Sequence, residues 1–220
     1  MSRGVVLAAV LCILAGAGSG CGVGTAEAQT PDRLAGEPYR SLAGERARIH
    51  FAAEDSLLAV RLLELVDAQE PLPGLPPDVP RGVRVVLTHA RGAFEELTGG
   101  VVPEWRAGVA IPSGNLMVIP AGEGPSVIEG DARQTLRHEW AHLGLHGYLG
   151  ELRVPRWFDE GYAQWTSAGF DASEAWRLRV LLALDRAPAF DSLSLRWPAD
   201  RERARIAYLL SASEIGRAHV

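Results

Sequence analysis

The chain has 220 residues, 47% of them hydrophobic, enough to enclose one substantial core and short for two. Its 22 basic residues, all arginine, are outnumbered by 27 acidic ones, for a formal net charge of −5 at pH 7. That balance argues against nucleic acid as the main partner.

Residues 1–28 have the pattern of a cleaved export signal: Arg3, a short apolar run over 5–15, and small residues at Ala26 and Ala28 ahead of Gln29. The run falls short of the ~20 residues that cross a bilayer, so no transmembrane span is expected in the mature chain. Lipid attachment at Cys21 is the alternative, although Gly18-Ser19-Gly20 lacks the leucine expected there. The mature chain is accordingly expected to be secreted or periplasmic. Cleavage after Ala28 removes both cysteines, Cys12 and Cys21, and with them any disulfide.

Residues 29–45 read as a flexible lead to a folded domain over 46–213. RARIHF, 46–51, alternates as a half-buried strand does, and 55–68 has the apolar spacing of an amphipathic helix. The proline-rich 71–80 is a loop. A short apolar strand over 83–87 precedes a helix over 90–97 that Gly99-Gly100 stops. AGVAIPSGNLMVIP, 107–120, predicts two strands turning at Ser113-Gly114-Asn115.

The chemistry concentrates in residues 131–161, which contain His138-Glu139-Trp140-Ala141-His142. Asp131 followed by Gln134 fits a capping box, and Gly144 or Gly147 offers an exit from the helix. On that helix His138 and His142 fall on one face one turn apart, with Glu139 at its edge, where a carboxylate can reach a metal-bound water without binding the metal. Leu136, Trp140, Ala141 and Leu143 supply apolar flanks. A catalytic zinc site needs a third protein ligand. Glu160 is one candidate, on a second helix that Pro155 opens and that runs to about Ser167. A histidine farther along the first helix is the other. Leu145 and Tyr148 stand where a metzincin pattern needs Gly and His, and His146 could ligate only if the helix broke. Asp159 is either a carboxylate that orients a ligand imidazole or a solvent-facing neighbour of Glu160. His50 and His89 lack such company and read as ordinary surface or strand residues.

Farther on, Asp171 and Glu174 cap a helix to about residue 185, Pro188 and Pro198 bracket a loop, and Asp200 begins a further helix whose arginines 201, 203 and 205 form a solvated face. Residues 214–220, EIGRAHV, look like a translated sequencing adapter, so the natural frame is expected to continue beyond Ser213. The fold class expected is α+β. A small mixed or antiparallel sheet with an edge hairpin packs on the His138 helix and a second ligand-bearing helix, followed by a helical C-terminal part.

HEWAH followed by PRWFDEGYAQW resembles the gluzincin metallopeptidases, most closely the bacterial peptidase MA-like domains related to the thermolysin and aminopeptidase N lineages. The resemblance covers about residues 45–212. It implies zinc bound by His138, His142 and Glu160, Glu139 as general base, and hydrolysis of a peptide or protein substrate outside the cytoplasm. It also implies that the 107–120 hairpin holds an extended substrate by main-chain hydrogen bonds. The acid that aminopeptidases carry on that edge is missing here, which leans against a dedicated aminopeptidase. Tyr208 corresponds to a tyrosine that some gluzincins use to stabilise the oxyanion; its plainer reading is an aromatic of a core helix. The alternatives are an exported zinc-binding module that does not cleave, and a zinc hydrolase of a non-peptide amide.

Overall fold

The computed structural model describes residues 33–34, 37–99, 108–121, 132–168, 170–195, 197–198 and 200–218. The expected export signal and the Asp131 cap lie outside them. Strands β1 (Arg33–Leu34) and β2 (Glu37–Pro38) form a two-residue ladder. The main sheet contains β3 (Arg40–Ala43), β4 (Ala47–Phe51), β5 (Val83–Thr88), β6 (Val109–Ile111) and β7 (Leu116–Pro120), in the order β3-β4-β5-β7-β6. β4, β5 and β7 run parallel, while β3 and β6 are antiparallel edges. Helix α1 (Ser56–Asp67) supplies the crossover that parallel neighbours β4 and β5 require.

The two central strands are apolar at almost every position because both of their faces are covered. Val83, Val85, Leu87, Met117 and Ile119 point into the main core, with Leu62 and Val66 of α1 and Leu136, Trp140 and Leu143 of α3 (Ala132–Leu149). Val86, Leu116 and Val118 point the other way, onto Phe94 of α2 (Arg91–Thr98). Helices α4 (Arg156–Ala168), α5 (Ala172–Ala183), α6 (Ser192–Leu195) and α7 (Arg201–Ala218) complete the helical C-terminal part. The expected α+β class, mixed sheet and edge hairpin β6–β7 are all present. The hairpin turns through a 3-10 segment, Pro112–Gly114, to Asn115 at φ 48.

Local chemistry sets several boundaries. Asp171 caps α5 by accepting from the N–H groups of Ser173 and Glu174 at 2.8 and 2.9 Å. The segment read as a flexible lead contains strand β3, in which only Leu42 is even half-buried, too sparse a signal for periodicity. Helix α3 does not exit at Gly144 or Gly147 but at Gly150, at φ 60, whose N–H bonds the carbonyl of His146 at 2.9 Å. Gly144 instead lets the helix lie on Leu72 and Pro80, where a Cβ would collide with the Leu72 methyl. The bracketed loop contains the one-turn helix α6, and α7 continues to Ala218, with Ile215 buried in the main core.

Helices α4 and α7 pack tightly at Gly161, where an added Cβ would lie 2.9 Å from the backbone carbonyl carbon and oxygen of Ser211. Helix propensity favours Gly161→Ala by roughly 1 kcal/mol, but overpacking against immovable backbone costs about 1–3 kcal/mol. The clash is expected to win, giving a net loss of stability in denaturant titration. A variant more stable than the parent would show that the two helices do not meet there.

Candidate metal centre

Helix α3 presents its two histidines from the interior. His138 is 3% exposed and His142 0%. One turn apart, their rings meet edge to face with centroids 4.9 Å apart and their Nε2 atoms 3.2 Å apart. The chain then reverses at Gly150, and α4 starts after Pro155, whose carbonyl accepts the N–H of Phe158 and of Asp159 at 2.9 and 3.2 Å. This start places Glu160 in the second turn of α4, facing α3, with its Oε2 3.7 Å from both histidine Nε2 atoms.

A triangle with sides of 3.2, 3.7 and 3.7 Å has its corners about 2.1 Å from its centre, the length of a metal bond to imidazole nitrogen or carboxylate oxygen, ~2.0–2.2 Å. Glu160 is 0% exposed, and neither of its oxygens has a hydrogen-bond partner. Arg156 stands 3.6 Å from Oε1, but Oε2, which faces the two imidazoles, has no such partner, and a buried carboxylate oxygen in that condition is unfavourable unless a cation joins it. His138, His142 and Glu160 are the group that can hold a metal ion among the described residues.

Asp159 does not face solvent but holds the His142 imidazole. It is buried, with Oδ1 2.8 Å from Nδ1 of His142 and Oδ2 3.0 Å from Nε2 of His146. With Nδ1–H of His142 donating to Asp159, the lone pair of Nε2 remains for a metal. Burial pushes the Asp159 carboxyl upward, but the charge and hydrogen bond of His142, followed by those of His146, outweigh it and hold the group far below the usual carboxylate range. His146 is therefore no third metal ligand: α3 continues unbroken past it, and its ring is engaged by Asp159.

Glu139 is fully buried and lies outside the ligand triad. Its Oε2 accepts the backbone N–H of Ala110, on edge strand β6, at 2.7 Å, while Oε1 is buried with no hydrogen-bond partner. Burial pushes its pKa up; the charges of His138 and His142 and the Ala110 N–H counter this, and Glu160 adds to it, leaving the group raised. No family model, curated protein or solved structure matches this chain.

Tyr208 of α7 is buried beside the centre, its ring edge-on to His138 at 6.1 Å between centroids and to Trp197 at 5.0 Å. The plainer reading, an aromatic of a core helix, fits this burial, and the ring also adjoins His138. His50 lies half-buried on β4, and His89 is exposed 3.6 Å from Asp55; neither joins the ligand group. Two contributors escaped the sequence. The Ala110 N–H is a backbone group whose pairing needs tertiary structure. Arg156, whose Nε lies 3.6 Å from Glu160 Oε1, had one signal: a cation in the first turn of a helix, four residues before an acid.

Proposed function

We propose that this chain is a zinc-dependent peptidase of the gluzincin type acting outside the cytoplasm. The observation that carries this reading is Glu139: a carboxylate buried beside two imidazoles, anchored through one oxygen and outside the ligand triad, has no use at a purely structural metal site. Two imidazoles and one carboxylate also form the donor set of a catalytic zinc site that keeps a fourth position for water. Bound there, zinc would polarise the scissile carbonyl and bring the pKa of its water to about 7.

The residues of the chain divide the remaining work. His138, His142 and Glu160 hold the ion, and Asp159 fixes the ring of His142. Glu139 takes the proton of the attacking water at Oε1 and returns it to the leaving amine. Among the described residues strand β6 is a sheet edge, paired with β7 on one side, and its Ala110 N–H reaches Glu139 on the other. An extended peptide added to that edge would place its backbone within reach of the base. Tyr208, beside His138, is our candidate for stabilising the oxyanion. The residues 1–28 signal supplies the compartment.

Purified protein is expected to contain about one zinc per chain and to cleave members of an unstructured peptide library. Chelation should stop cleavage and added zinc restore it. Zinc-loaded protein that cleaves no peptide but opens cell-wall amides would move the reading to a non-peptide hydrolase. Inertness toward both would leave a non-cleaving zinc module.

A further inference from the structure

Arg156 sits in the first turn of α4, four residues ahead of Glu160, and helix energetics do not explain it. A cation at a helix N-terminus opposes the macrodipole. Arg preceding Glu at this spacing is also the weaker of the two charge orders. The guanidinium is nevertheless held in place: its Cζ lies 5.5 Å from the ring centroid of Trp197, and its Nε lies 3.6 Å from Glu160 Oε1. Nε and Nη2, one edge of the planar fork, are buried with no hydrogen-bond partner, and so are both oxygens of Glu160. A guanidinium edge and a carboxylate thus stand next to each other as an ion pair, with the facing atoms buried and making no hydrogen bond.

We infer that Arg156 is a positioning residue for the metal ligand Glu160, its fork taking the oxygen that the metal does not. The inference rests on the metal centre proposed above and adds how the carboxylate is made to bind through one atom. Oε2 is equidistant from the two imidazole nitrogens, at 3.7 Å, whereas Oε1 is the oxygen beside Arg156. A carboxylate free to turn could offer both oxygens to the ion and occupy the position that water needs. Engaging Oε1 leaves that position open and satisfies a buried acceptor. Trp197 braces the guanidinium from its face, and the same indole packs on Tyr208, so α4, α7 and the segment before α7 converge on one ligand.

The test compares the full chain with Arg156→Met, which keeps the apolar stem, and Arg156→Lys, which keeps the charge without the fork. Zinc affinity is read by chelator competition, ligand geometry by the visible absorption of bound Co²⁺, and fold by the thermal midpoint of metal-free protein. Arg156→Met is expected to bind zinc ~10–100-fold more weakly, the usual range for loss of a group supporting a metal ligand, with an altered cobalt spectrum and a lowered metal-free midpoint, since it also removes the cation beside buried Glu160. Arg156→Lys should fall between the two, and it carries the test alone if the methionine variant does not fold. Parental affinity and cobalt spectrum in either variant overturn the inference while leaving the centre standing, provided that Glu160→Gln loses zinc. A parent chain that binds no zinc overturns both together.

Discussion

Glu139→Gln is expected to keep its metal and to lose hydrolysis by about 10²–10⁴-fold, the range for removing a positioned general base. The substitution is close to isosteric at a position with no exposed surface. The amide carbonyl can still accept the Ala110 N–H that Oε2 accepts at 2.7 Å, so the contact between α3 and strand β6 survives. What disappears is the ability to take a proton at the second oxygen. Stability should not fall: burial is the largest influence on this carboxyl and acts against its charged form, and the amide carries no charge to desolvate. The checks are turnover of a peptide substrate, zinc content, and the thermal midpoint of metal-free protein. Parental turnover in the variant would remove Glu139 from the mechanism and with it the strongest argument for catalysis.

How much of this was legible without coordinates follows from the range over which each signal acts. His138 and His142 stand on one face of one helix, so their spacing alone predicted their proximity. Glu160 needed a second helix to fold back on the first: Pro155 marked the start of that helix, but the close packing of Gly161 against Ser211 that seats α4 on α7 emerges only with the tertiary fold. The central strands announced themselves because both faces are covered and nearly every position is apolar. Strand β3 stayed hidden because one half-buried Leu42 makes no period. The end of α3 was misplaced for a related reason: Gly144, Gly147 and Gly150 look alike in sequence. Only the packing of Leu72 on Gly144 and the positive φ of Gly150 tell a close approach from a terminus. The orientation of Asp159 could not be chosen from sequence, since its two partners come from another helix.

His142→Ala tests the centre from the side of the fold. The variant removes a metal ligand and also strips Asp159 of the closer of its two imidazole partners, the one at 2.8 Å. Two effects are therefore expected, and they separate experimentally. Without metal, the variant should be less stable than the parent by about 1–3 kcal/mol, because a buried acceptor loses its donor. With metal, the parent should gain about 2.7 kcal/mol at a free-ion concentration a hundred times its dissociation constant, whereas the variant should gain close to nothing. The informative quantity is thus the difference between loaded and metal-free midpoints, from which the loss of the Asp159 hydrogen bond cancels. A zinc-induced rise in His142→Ala equal to that of the parent would mean that the ion binds elsewhere. In that case the buried oxygens of Glu160, which make no hydrogen bond, would have only the Arg156 guanidinium, 3.6 Å from Oε1, to offset their burial.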